Sequence, residues 1–340
     1  MKFGLCVMTE YDRISPNGLR ARYEHMIEQA KYAEKYGFDS VWITEEHVQA
    51  EAGQICFPPL FSLAGMASTT GLAVGTAVVV LPYYNPVHLA ESVAMLDIMS
   101  KGKMILGVGM GWKGYERYGV SMKERVSRFE ETILLLHRLW SETNVTYHGK
   151  RFNLSNVTLS VRPMQSHVPI WIGTGTAPEN ALRRAARLGD AWFTDETTTI
   201  PLLRGRIRIY LSALKEAGKD FSKLEVPIHR YGYVAKDDDT ARKEIKPHLL
   251  YRIKDKIRRG SQAYRSMYKN DDEIEAGIDR NLREAYVVGS PDHCIEQIED
   301  YRKEFGITYM TFRFPIFPYD HQKYLRTIQM IGEKVLPHLK

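Results

Sequence analysis

The stretch SVWITEEHV, residues 40–48, decides how the chain is read. Val41, Trp42 and Ile43 are uncharged and β-branched or aromatic, the composition of a short strand buried on both faces in a parallel sheet. Glu45, Glu46 and His47 fall where that strand ends. In parallel α/β proteins, chemistry gathers at the carboxyl ends of strands. Thr44 or Glu45 could instead open a helix as its cap. Two carboxylates and an imidazole exceed what a cap needs, so the segment is read as part of a site.

The same rhythm extends outward. Upstream, Tyr23, Met26, Ile27, Ala30 and Ala33 recur at helical spacing within residues 20–36, Gly37 stops that helix, and residues 2–8 (KFGLCVM) form a first strand. Downstream, strands are predicted over 72–81, 103–108, 169–172, 191–193, 226–234 and 308–314. Helices are predicted over 57–70, 86–99, 125–140, 178–188, 201–217, 291–305 and 319–336. Residues 143–162 break the alternation and read as a β-hairpin after the fourth helix. Residues 237–285 read as a basic, mostly helical insertion after the seventh strand, with no strand in it. Eight strands alternating with helices, and no Pro/Ser-rich linker, predict an α/β fold: one (β/α)8 TIM-barrel domain over residues 1–340. Two α/β halves meeting near residue 150 are the weaker alternative.

Composition narrows the function classes. Apolar residues make up 44% and charged residues 26%, ordinary for a soluble globular protein. The apolar runs are too short to span a bilayer, and the start lacks the apolar core and cleavage site of a signal peptide. Cys6, Cys56 and Cys294 lie far apart, which disfavours disulfides and a cysteine metal site, so a cytoplasmic location is expected. The net charge is +6, and residues 204–269 hold 18 Lys or Arg against 8 Asp or Glu. A run of this kind is more often a solvated helical face than a site for an anion, and no nucleic-acid motif accompanies it.

Beyond residues 45–47, the strand ends offer Tyr83, Tyr84, Asn85 and His88 after the third strand, then Met110, Trp112 and Tyr115 after the fourth. Gly173, Thr174, Gly175 and Thr176 follow the fifth strand and run into a helix, and Arg313 ends the eighth. The Gly-Thr-Gly-Thr loop reads equally as a phosphate cradle at a helix N-terminus or as a tight turn. An aromatic mouth beside a phosphate loop suits a flat, phosphorylated cofactor, nicotinamide or flavin.

Six stretches together resemble the bacterial luciferase-like, flavin-dependent monooxygenase family. They are MKFG (1–4), GFDSVWITEEH (37–47), the long block VGTAVVVLPYYNPVHLAESVAMLDIMSKGKMILGVGMGW (74–112), VPIWIGTGTAPENALRRAARLGDAW (168–192), VGSPDHCIEQIEDY (288–301) and GITYM (306–310). The resemblance implies a (β/α)8 barrel, reduced FMN used with O2 on a small organic substrate, a flavin reductase that supplies the reduced cofactor, and a homodimer. In a sister branch the cofactor is a deazaflavin that exchanges hydride. It also implies that Gly173, Thr174, Gly175, Thr176 and Arg125 hold the cofactor phosphate, and that Ala77 and Val78 flank a cis peptide behind the ring. Met110 stands where the luciferases place a phosphate-binding arginine, and Glu46 where they place a catalytic histidine. His47 and Glu46 are therefore the candidates for proton transfer, and Tyr83, Trp112 and Arg313 for the substrate side. Two further classes carry less weight: a metal-dependent hydrolase with Glu45, Glu46 and His47 as ligands, and a passive flavin carrier.

Overall fold

In the computed structural model, which describes residues 1–8, 11–12, 16–47, 54–111, 114–175, 178–258 and 262–340, eight parallel strands curl into a barrel. They are β1 (Lys2–Cys6), β2 (Ser40–Ile43), β3 (Ala73–Thr76), β4 (Met104–Gly109), β5 (Ile170–Gly173), β6 (Ala191–Phe193), β7 (Pro227–Val234) and β8 (Tyr309–Arg313). The ladder runs β6-β5-β4-β3-β2-β1-β8-β7, so β8 closes the sheet against β1, with Phe3 opposite Met310. Between β6 and β7 no ladder forms among the described residues. The His229 backbone N–H instead donates to Thr194 Oγ1 at 3.0 Å.

β2 shows why this sequence folds this way. Val41 and Ile43 face outward into the layer of surrounding helices, while Trp42 points into the barrel. There its ring packs on Trp171 from β5 at 5.0 Å and Phe193 from β6 at 5.4 Å, with Tyr309 from β8 edge-on at 5.9 Å. Ser40 Oγ accepts from both the Trp42 indole and the Tyr309 hydroxyl at 2.6 Å, so the polar atoms of this aromatic plug are satisfied.

The outer helices carry their own start and stop signals. Asn85 caps the helix Pro86–Met99 by accepting from the Val87 N–H at 2.9 Å, with Pro86 preset at the first position. Ser290 caps the helix Pro291–Phe305, and Gly306 ends it at φ +65°. The hairpin is present as Val145–His148 against Asn153–Val157. The insertion is helical, with Asp238–Arg258, Gln262–Met267 and Asp271–Glu284. Its basic run is partly spent internally: Lys246 pairs with Glu275 and Asp279, and Lys254 with Asp271. Among the described residues no helix is long and apolar enough to cross a membrane.

The insertion contains no strand among the described residues, as expected, and is followed by a short unforeseen strand, Val287–Gly289, that pairs with the end of β7 from Gly232 to Val234. One expectation needs correction: the predicted strand over 72–81 is not continuous. β3 stops at Thr76, the Ala77–Val78 peptide is cis, and Val79–Val80 then rejoins the sheet against Val108 and Gly109. This bulge crosses β4 so closely that a Cβ on Gly107 would lie 1.8 Å from the Thr76 carbonyl oxygen. A Cβ on Gly109 would meet Val78 Cγ2 at 2.6 Å. The glycines after the fourth strand therefore serve a close backbone approach.

Gly107→Ala is accordingly expected to lower the urea midpoint by about 1–3 kcal/mol of stability, because backbone rather than a pliable side chain must yield. Gly205→Ala, within the helix Ile200–Glu216 and with open space at its Cβ, is expected to be neutral or stabilising by about 0.5–1 kcal/mol. Equal midpoints for the two variants would contradict the close-approach reading.

Candidate functional site

At the carboxyl ends of β3 to β7 lies a cleft of about 630 Å3, within the range of sites that take a cofactor or small ligand. One wall is the Ala77–Val78 bulge with Gly109, Met110 and Gly111. The floor is Ile172 and Phe193. The end nearest β5 is formed by Gly173, Thr174 and Gly175, together with Arg125, Asn180 and Arg184. The helix Glu179–Leu188 starts there with no side-chain cap at Pro178; its Ala181 N–H is used by the Pro178 carbonyl at 2.9 Å, and the positive end of the helix dipole lies at this end of the cleft. Arg184 is held in place by Glu130 at 2.8 Å. Burial alone would push the Glu130 carboxyl up, but Arg184 and Arg187 outweigh it and hold it below the usual range.

The opposite end, at β6 and β7, is lined by Thr194, Asp195, Glu196 and His229. Burial is the largest effect on Glu196 and would raise its pKa. The cationic form of His229, Arg313 and Arg252 overcome this and bring it to about 2. Burial is also the largest effect on His229 and lowers it to about 4, against the opposing pull of Glu196. Because His229 is uncharged above that value, the arginines keep Glu196 ionised at neutral pH. Arg313 Nη1 lies 3.7 Å from Glu196 Oε1, and Tyr231 donates its hydroxyl to the same oxygen at 3.1 Å.

The residues proposed for the cofactor thus converge: Ala77, Val78, Met110, Arg125, Gly173, Thr174 and Gly175 all line this one cleft. Thr176 and Trp112 lie outside the described residues. The Thr174 hydroxyl oxygen is already engaged, accepting from the Trp192 indole at 2.9 Å and from Arg206 at 3.2 Å, so it anchors the loop. The Asp195 carboxylate stands beside Gly175, while Arg125 and Arg184 give this end of the cleft its positive charge.

The expected proton-transfer and substrate residues are placed differently. His47, Glu46 and Tyr83 are not among the residues lining the cleft. His47 Nε2 is 2.5 Å from Glu45, whose buried carboxylate also accepts from the Val80 N–H and the Tyr84 hydroxyl. Glu45 therefore ties the end of β2 to the bulge. Glu46 pairs with Lys256 of the insertion at 3.4 Å. Tyr83 stacks on Tyr118 at 4.4 Å, and burial pushes its phenol up to about 12, so it stays neutral. Arg313 is buried, lies 3.7 Å from Glu196 and is not among the residues lining the cleft. Among the described residues no group of three or more His, Cys, Asp or Glu could hold a metal ion.

Sequence reasoning missed Asp195, Glu196 and His229. Asp195 and Glu196 carry the same signal as Glu45 and Glu46, namely acids directly after a strand. His229 is hidden inside the uniformly buried strand β7 and gives no such signal.

Comparison with known proteins adds to this geometry. A family model described as luciferase-like monooxygenase matches residues 1–309. An F420-dependent glucose-6-phosphate dehydrogenase from Amycolatopsis mediterranei is 26% identical, the match covering 93% of this chain and 94% of that protein. The oxygenase component of a flavin-dependent trigonelline monooxygenase from Acinetobacter baylyi is 25% identical, over 87% of this chain and 80% of that one. The solved structure of the monooxygenase RslO1 from Streptomyces bottropensis superposes with a TM-score of 0.81 at 23% identity, covering 100% of both chains, a likeness of fold.

The state of His229 makes stability depend on pH. Its folded pKa of about 4 lies below the ordinary 6.5, so the unfolded imidazole takes up a proton across that window while the folded one does not. Stability should therefore fall as pH drops from about 6.5 towards 4, by on the order of 3 kcal/mol from this residue. Urea unfolding of the wild type and His229→Gln across that window checks this. The variant should show the shallower dependence, and equal slopes would refute the assignment.

Proposed function

Since the chain belongs to the luciferase-like monooxygenase family, whose members are oxidoreductases, we propose that the cleft takes a flavin-type cofactor and that the protein oxidises a small organic substrate with reduced FMN and O2. The observation that carries this reading is the pairing, in one cleft of about 630 Å3, of an apolar Val78 wall with a cationic end at Arg125, Arg184 and the helix start. A flat ring suits the first and a phosphate the second. When bound, reduced FMN supplies the electrons that activate oxygen. The chain's own part is to shield the ring with Val78, Ile172 and Phe193, to anchor the phosphate, and to present Glu196 and His229 to what lies beyond the ring. A separate flavin reductase would deliver the reduced cofactor.

A second reading, a deazaflavin-dependent dehydrogenase, is favoured by the F420-dependent enzymes among the relatives. A cofactor of the F420 type carries further carboxylates beyond its phosphate. Here a groove of about 350 Å3 adjoins the phosphate end and is lined by Arg183, Arg184 and Arg187. All three are already paired, with Glu216, Glu179 and Glu130. That groove offers little surplus positive charge to a polyanionic tail, which supports FMN.

Fluorescence titration with each reduced cofactor under anaerobic conditions separates the two. Reduced FMN is expected to bind at micromolar concentration and more tightly than reduced F420, and Arg125→Ala should weaken it at least about tenfold, roughly 1.4 kcal/mol. Tighter binding of reduced F420 would establish the dehydrogenase reading, and binding of neither would end both.

A further inference from the structure

The β6–β7 end of the cleft has a chemical character that neither the family nor the expected role of Arg313 supplies. His229 is buried, only 4% exposed, and its Nδ1 lies 2.7 Å from Thr311 Oγ1. The Thr311 hydroxyl also lies 3.4 Å from the Ile228 carbonyl, so its one proton has two acceptors within reach and the Nδ1 contact holds the ring without fixing its tautomer. Nε2 lies 4.0 Å from Glu196 Oε2, beyond hydrogen-bond distance, and makes no hydrogen bond among the described residues.

Glu196 is used from the other side. Tyr231 donates to Oε1, and Arg313 approaches that same oxygen. No other side chain among the described residues donates to Oε2. Asp195 also lines the cleft, with its Oδ1 satisfied by the Thr197 N–H and hydroxyl at 2.7 and 2.8 Å. The cations Arg313 and Arg252 are both buried behind this wall and do not line the cleft. The carboxylate oxygens turned to the cleft, from Glu196 and Asp195, are therefore acceptors, with the His229 ring and the Thr194 hydroxyl beside them. Beside them stand the Phe193 ring, 5.6 Å from the His229 ring, and the apolar Ile172.

We propose that Glu196 Oε2 is the centre of an anionic subsite, and that the substrate is a flat or apolar molecule presenting a protonated amine or amidine to it. Tyr231 and Arg313 approach only Oε1, and the His229 ring stands 4.0 Å from Oε2, so a cationic N–H group in the cleft would satisfy the open carboxylate oxygen. An anionic substrate would face the same carboxylate and be rejected. Thr311 is the positioning residue that holds the imidazole beside Glu196. The inference rests on the flavin reading for its assignment to substrate and on geometry alone for its preference.

Benzamidine and benzoate test it as flat molecules of like shape and opposite hydrogen-bonding character. Calorimetric titration of the full chain loaded with FMN is expected to give saturable binding of benzamidine and at least tenfold weaker binding of benzoate. Glu196→Gln, checked for folding by circular dichroism, should weaken benzamidine at least tenfold. Benzoate binding as well as benzamidine, no saturable benzamidine binding, or an unaffected folded Glu196→Gln variant would each overturn the proposal. Repeating the titration without FMN keeps the two readings apart. Benzamidine bound by a protein that takes no FMN upholds the subsite and fails the flavin reading. Displacement of benzamidine by FMN assigns the acceptors to the cofactor and overturns the substrate claim.

Discussion

The structure depends on how closely the end of β3 passes over β4. Thr76 and Val78 lie where a side chain on Gly107 or Gly109 would have to be, and Gly173 of β5 leaves the third side of the gap open, with its Cβ position 3.1 Å from Val78 Cγ1. Three glycines on two strands thus accommodate one valine, and that valine becomes the wall of the cleft. Glu45 reaches the same bulge from β2 by accepting the Val80 N–H. The wall is consequently fixed from three neighbouring strands. Below it, Trp42 fills the barrel between Gly4 and Gly75, either of which would place a Cβ 2.4 Å from its ring. The cleft is therefore a surface depression over a solid aromatic floor.

Much of this was legible in residue patterns. The buried run around Trp42, the helix starts at Asn85 and Ser290, and the alternation of strands with helices all follow from local preferences that the fold respects. What escaped detection did so for physical reasons. The run 72–81 is β-branched and apolar throughout, so nothing local marks its break at Ala77–Val78; the cause lies in glycines some thirty residues later. Val287–Gly289 is too short to show a period and exists only because β7 extends past its barrel neighbours. His47 and Glu46 have the polarity of site residues and are paired with Glu45 and Lys256, while Arg313 stands 3.7 Å from Glu196. Long-range pairings such as Glu46 with Lys256 are set by tertiary distance and leave no mark in sequence spacing.

The two ends of the cleft divide the electrostatics. Near β5, arginines and an uncapped helix start face the cavity, while the acids Glu130, Glu179 and Glu216 stay outside it. Near β6 and β7 the order is reversed: acceptors face the cavity and the arginines stand behind them. A dipolar cleft of this form orients a ligand before any contact is perfected. It also lets half-buried Glu196 remain ionised without an exposed cation at the surface, since Arg313 and Arg252 are themselves shielded from water.

The missing ladder between β6 and β7 has a mechanical meaning. Around most of its circumference the barrel resists expansion through backbone hydrogen bonds, but along this line the bonds that cross among the described residues all use side chains: Thr194 Oγ1 accepts from the His229 N–H, Arg230 Nη1 donates to the Asp195 carbonyl and Tyr231 donates to Glu196. Each bond of that type contributes about 1 kcal/mol. The sheet is thus less a hoop than a ring laced shut, its wall set by Val78 and the glycines and its seam tied by the residues that line the far end of the cleft.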